Sequence, residues 1–219
     1  DGWSIAVFRQ ELAALYTAFL ANRPSPLPVL PVQYADYALW QLQEEQRKRD
    51  HGYLAYWKEQ LKDLPLLLEL PVCKPRPETP TYRGGRHYIT LPLALTERLK
   101  AFTQREDATL FMTLLAGFQI LLQRYSGQDD IAIGSAVANR NVPEVEGLIG
   151  YFVNTVVLRG YLSDDPTVRE FVRRTGATAV AAYERQEVPF QTVVDALKPE
   201  RSSSFHPLFQ IAFNLQNTP

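Results

Sequence analysis

Gly147 to Gly160 read GLIGYFVNTVVLRG, and this stretch decides the fold. It is rich in β-branched and aromatic residues, and from Ile149 onward it reads as a long strand. Two polar residues, Asn154 and Thr155, break the apolar run. A buried amide must find hydrogen-bond partners or it costs stability. Asn154 is therefore either a satisfied structural amide or part of a site, and the residues alone weigh the two equally.

The neighbours of this strand alternate between helix and strand. DIAIGSAV (130–137) reads as a strand. LFMTLLAGFQILLQRY (110–125) reads as a core helix, with Thr109 as its cap and Gly127 just past its end. This is the longest apolar run, but Gln119 and Gln123 interrupt it, and it falls short of a membrane span. SDDPTVREFVRRTGATAVAAYERQ predicts a helix with Asp165 at the cap and Pro166 at its first position. PFQTVVDAL predicts a short helix. LFQIAFNLQ alternates Phe209, Ile211, Phe213 and Leu215, as a half-buried strand does. Upstream, RHYITLPL reads as a strand, and LTERLKAFTQRE as a helix capped by Thr96. The fold class is α/β.

Residues 3–20 place Ile5, Phe8, Leu12, Leu15, Tyr16 and Phe19 on one face of an amphipathic helix, with Asp1 or Ser4 to cap it. NRPSPLPVLP then forbids helix. YADYALWQLQEEQRKRD and YLAYWKEQLKDL return to helical spacing. The mixed charges of Glu44–Asp50 suit a solvated face. Prolines crowd again between Pro65 and Pro80. The expected organisation is a mostly helical unit over 1–65, a bridge over 66–80 and a strand-and-helix unit over 81–219.

Composition narrows the function. Of 219 residues 46% are apolar and 21% charged, and the net charge is −1. That is ordinary for a globular chain and argues against an electrostatic nucleic-acid binder. Cys73 is the sole cysteine, which permits no internal disulfide and suits a reducing cytoplasm. The three histidines share no metal-ligand spacing, so no metal site is expected. His51 reads as a solvated residue, His87 as structural within its strand and His206 as a turn residue. Ser135 lacks the second glycine of a nucleophile elbow. Asp129 and Asp130 read as a turn. Arg140, between Asn139 and Asn141, is either a carboxylate clamp or a solvated loop residue.

Five stretches in order resemble the condensation domains of non-ribosomal peptide synthetases. DGWS resembles the end of the family's His-His-x-x-x-Asp-Gly motif. YADYALW (34–40), IGYFVNTVVLRG (149–160), RQEVPFQTVVDAL (185–197) and RSSSFHPLFQIAFNLQN (201–217) resemble later signatures. The resemblance spans the whole chain and implies a chloramphenicol-acetyltransferase-like fold. Residues 1–65 would end its first lobe, and 81–219 would form most of the second lobe, incomplete at its C-terminal end. The implied reaction is peptide-bond formation between two carrier-protein thioesters, and the sequence most resembles the type that joins two L-residues. No cofactor is bound directly, because the carriers deliver phosphopantetheine arms. The implied partners are an upstream and a downstream carrier protein and an adjacent adenylation domain, with no nucleic acid and no membrane.

The family's catalytic histidine falls four residues before Asp1, so residues 1–219 alone are expected to be inactive and, with unpaired sheet edges, prone to aggregate. Asp1 matches the motif aspartate, which pairs with an arginine; Arg83 and Arg140 are both candidates. Gly2 matches the motif glycine, whose bare backbone admits substrate. Asn154 matches the strand asparagine near the active-site tunnel. Two alternatives stand beside this reading: a non-catalytic docking platform of the same fold, and a stand-alone thioester-dependent acyltransferase.

Overall fold

The computed structural model describes residues 1–219 except 51, 73, 75, 80, 201 and 217–219, and for residues 44–50 it describes the helical backbone alone. The expectations for His51, Cys73 and the charged side chains of Glu44–Asp50 lie outside the described residues. The element order is α1 (Gly2–Leu20), α2 (Tyr34–Asp50), α3 (Tyr53–Gln60), α4 (Leu93–Arg105), α5 (Leu110–Ser126), β1 (Asp130–Val137), a 3-10 turn (Pro143–Val145), β2 (Asn154–Tyr161), α6 (Val168–Tyr183) and α7 (Phe190–Leu197).

β1 and β2 pair antiparallel, in register from Asp130 opposite Tyr161 to Val137 opposite Asn154. Val156, Val157 and Leu158 are buried in succession, so both faces of this strand are covered. Leu115 of α5, Ile131 and Ile133 of β1, and Ala179 and Ala182 of α6 share one core. Trp57, Leu61, Val193 and Val194 belong to that same core. Packing therefore continues across residue 65, where the sequence suggests that a first unit ends.

Polar side chains tie this layer together. Arg159 grips Asp130 through Nε (2.8 Å) and Nη2 (2.6 Å). Its Nη1 donates to the carbonyls of Gln60 and Lys62 (2.9 and 2.8 Å), which closes the C-terminal end of α3. The extended segment 66–69 has no strand beside it among the described residues, and two glutamines replace one. Gln210 accepts from Leu68 N and donates to Leu66 O (2.8 and 3.2 Å). Gln128 accepts from Glu69 N and donates to Leu67 O (2.7 and 3.1 Å).

The helix signals around α5 hold: Thr109 accepts from Met112 N at 3.2 Å, and Gly127 adopts φ 71. Other expectations change. The segment 86–92 forms no strand; Tyr88 and Ile89 are 81% and 78% exposed, and no ladder partner lies beside them among the described residues. α4 starts after Pro92, and the Thr96 hydroxyl bonds Pro92 O from within the first turn instead of capping. α6 is capped by Thr167, because Asp165 is left-handed at φ 49 and an N-cap needs extended backbone. Residues 208–216 make a single parallel bridge, Gly134 to Ala212, with Gly134 N donating to Ile211 O and Phe213 N to Gly134 O. The apolar face of α1 is exposed at Ile5, Phe8 and Leu12, and only Ser4 and Ala18 are buried.

Gly134 makes that bridge possible. A Cβ there would stand 2.3 Å from the Phe209 ring. Gly134→Ala should displace the ring and cost about 1–3 kcal/mol in urea unfolding of the domain within its parent protein. Gly117→Ala, on an open face of α5, should be neutral or stabilising by up to about 1 kcal/mol.

Candidate active site

The first residues of β2's signature stretch are not in the ladder. Pairing starts at Asn154, and Leu148–Val153 run as irregular backbone. Leu148 and Phe152 are nonetheless almost fully buried. Buried peptide groups without a ladder need other partners, and here side chains from distant elements supply them.

Asp1 supplies one. It N-caps α1, its Oδ1 accepting from Ser4 N at 2.8 Å, while its Oδ2 accepts from Phe152 N at 3.1 Å. Ser4 supplies two more. Its hydroxyl accepts from Gly150 N (3.0 Å) and lies 2.7 Å from Gly150 O and 2.8 Å from Asp1 Oδ1. The phenol of Tyr34 donates to Tyr151 O at 2.8 Å. Arg140 Nη1 donates to Leu148 O at 2.9 Å and also reaches Val145 O and Glu146 O.

Arg140 is the buried charge at the centre. Its side chain is 1% exposed, and that of Asp1 is 3%. Nη2 lies 3.4 Å from Asp1 Oδ1 and 2.8 Å from Ser4 Oγ. The guanidinium carbon sits 4.0 Å from the Phe152 ring centroid, a cation–π contact. The Phe152 ring also meets Tyr37 at 4.7 Å and Tyr34 edge-on at 5.3 Å. Burial holds the Arg140 guanidinium below its usual value, with Tyr37 opposing. An arginine nonetheless keeps its charge. Burial also pushes the Tyr37 phenol up, Tyr34 adds to this, and Arg140 opposes it.

The two arginine candidates thus separate. Arg140 pairs with Asp1, whereas Arg83 stands in an exposed segment, its backbone N–H on Thr81 Oγ1. Gly2 opens α1, and a Cβ there would meet no atom within 4 Å. Asn154 commits its whole amide to the protein. Nδ2 donates to Gln186 O and to Val188 O (2.7 Å), and Oδ1 accepts from Phe190 N at 3.1 Å, at the start of α7. His87 is exposed outside any strand; His206 is exposed and stacks on Phe190, 5.5 Å between centroids. Among the described residues, no group of three His, Cys, Asp or Glu side chains is placed to hold a metal. No helix among them is long and apolar enough to cross a membrane.

Sequence reasoning does not single out Ser4, Tyr34 or Tyr37 as site residues. Tyr34 and Tyr37 carry a signal in their i, i+3 spacing, which sets both rings on one face of α2. Ser4 has none beyond its place in a helix's first turn.

A buried aspartate on a helix N-terminus, locked to an arginine and to the lead-in of a strand, sits here in a chloramphenicol-acetyltransferase-like fold. The X-domain from teicoplanin biosynthesis superposes with a TM-score of 0.88 at 30% identity, covering 97% of this chain and 48% of that one. The four-domain nonribosomal peptide synthetase holo-AB3403, bound to AMP and glycine, superposes at 0.86 with 25% identity, covering all of this chain and 16% of that one. The condensation-domain family model matches residues 1–219, and the chain belongs to that family, the condensation domains of non-ribosomal peptide synthetases. A linear gramicidin synthase from Brevibacillus parabrevis is 51% identical over 217 residues, 99% of this chain and 4% of that protein. Chondramide synthase cmdD of Chondromyces crocatus is 49% identical over 217 residues, 99% of this chain and 6% of that protein. The chain thus spans a small part of the length of these relatives.

Arg140→Leu strips the partner from a buried carboxylate and from Leu148 O, and should destabilise by roughly 3–5 kcal/mol. A double-mutant cycle with Asp1→Asn should show coupling of about 0.5–3 kcal/mol by denaturant unfolding. Asn154→Ala should cost about 1–3 kcal/mol by leaving Phe190 N and two carbonyls unpaired. Asn154→Asp should not restore it, since a carboxylate cannot donate to Gln186 O and Val188 O.

Proposed function

We propose that this chain is part of a condensation domain joining two carrier-bound thioesters. Peptide-bond formation is the general function of the family. In the proposed reaction a downstream aminoacyl amine attacks the carbonyl of an upstream peptidyl or aminoacyl thioester. The C–N bond forms, the C–S bond breaks, and the amine proton passes to the departing phosphopantetheine thiol. The substrates arrive on the arms of upstream and downstream carrier proteins, with an adenylation domain adjacent. The proposed setting is the cytoplasm, and the proposed subtype joins two L-residues.

The observation that carries this reading is the Asp1–Ser4–Arg140 lock at the motif's Asp-Gly. Asp1 acts by fixing the loop that leads into α1, and Arg140 by holding Asp1. Gly2 leaves its backbone bare where the reacting groups are to pass. Asn154 clips the start of β2 to α7 and so fixes where that strand begins. Acid–base work falls to the motif's second histidine, four residues before Asp1.

A second reading is favoured by one finding. The X-domain relative has also been solved in a complex with OxyB from teicoplanin biosynthesis, at the same TM-score of 0.88 and 29% identity. Under that reading this fold recruits a partner enzyme and forms no bond.

Assay of the complete parent synthetase with both carriers loaded separates the two. Peptide-bond formation by the wild type, lost when alanine replaces that histidine, is the expected outcome; no product from the wild type would favour the platform. Gly2→Val should lower condensation by the complete parent synthetase at least tenfold, read as turnover with both carriers loaded. Unchanged turnover would remove Gly2 from the site.

A further inference from the structure

We propose that Ser4, in addition to Asp1 and Arg140, is a positioning residue of the condensation reaction, which rests on the function proposed above. The direct Asp1–Arg140 contact is long, 3.4 Å from Nη2 to Oδ1. The path through Ser4 is short on both sides, 2.8 Å to Asp1 Oδ1 and 2.8 Å from Arg140 Nη2. The buried hydroxyl is therefore the tighter link between the start of α1 and the arginine.

The same oxygen also holds both polar groups of Gly150. It accepts from Gly150 N at 3.0 Å and lies 2.7 Å from Gly150 O. A hydroxyl has one proton and two lone pairs. Arg140 Nη2 and Gly150 N fill the lone pairs, and Asp1 Oδ1 and Gly150 O share the single proton. Gly150 has no side chain to be held, and none would fit: a Cβ there would stand 2.3 Å from the Tyr34 ring. Ser4 thus sets the spacing between the first turn of α1 and the segment that runs on to Asn154. That first turn carries Asp1 and Gly2. Displacing a reacting group by about 1 Å can cost on the order of 100-fold in rate.

The experiment uses the complete parent synthetase with both carriers preloaded, in single-turnover mode. The amplitude reports the folded fraction and the rate constant reports positioning. Ser4→Ala and Ser4→Cys should each lower the rate constant at least tenfold with amplitude retained. Ser4→Thr, which keeps the hydroxyl, should retain most of the rate. An unchanged rate constant in the alanine and cysteine variants would overturn the proposal. So would amplitude lost from both, which marks a purely structural residue, and so would a threonine variant as slow as alanine. If the wild type itself forms no dipeptide, it is the functional reading that fails. If the wild type turns over and the variants match it, only the role of Ser4 fails.

Discussion

Buried backbone without a neighbouring strand is the constraint around which this molecule is arranged. Between Leu148 and Phe152 the chain runs without a ladder, with Leu148 and Phe152 buried and Ile149 and Tyr151 exposed, and its buried peptide groups must be matched. The matches come from separate places: Asp1 and Ser4 at the start of α1, Tyr34 at the start of α2, and the loop carrying Arg140. None of these side chains could be moved without orphaning a peptide group elsewhere. The candidate site is thereby rigid for reasons of polar satisfaction as much as of packing.

The buried ion pair obeys the same constraint. Desolvating a guanidinium and a carboxylate together is costly, and the mutual attraction offsets it only when their other hydrogen-bonding positions are filled. Asp1 is filled by Ser4 and Phe152, and Arg140 by three carbonyls and the Phe152 face. Among the described residues, Arg140 Nε alone is a buried side-chain nitrogen or oxygen without a hydrogen-bond partner. The charge pair is held by the segment that it holds.

What the sequence makes legible follows local chemistry. Thr109 and Gly127 delimit α5 by capping rules that need only neighbours in sequence. Asn154 stands out because a polar residue interrupts an apolar strand. The start of β2 falls later than composition suggests, because residues 149–153 carry strand residues while a ladder depends on a partner that composition does not encode. The same holds for residues 86–92 and 208–216. Asp165 does not cap because its backbone is left-handed, a property of the turn and not of the residue type. The choice of Arg140 over Arg83 is open in sequence because both lie far from Asp1 along the chain, and only the fold brings one of them to it. Ser4 is hidden for the opposite reason: Gly150 and Arg140 lie far along the chain, while its local setting looks like an ordinary helix start.

The two glutamines that flank residues 66–69 have a consequence of their own. A carboxamide sets an N–H donor beside a carbonyl acceptor, so Gln128 and Gln210 each bond an N–H and a carbonyl of the bridge's backbone and not its side chains. The path of the bridge is therefore uncoupled from much of its composition. The grip survives exchange of those side chains so long as each N–H remains, whereas a proline at Leu68 or Glu69 would remove one of its four hydrogen bonds in a single step.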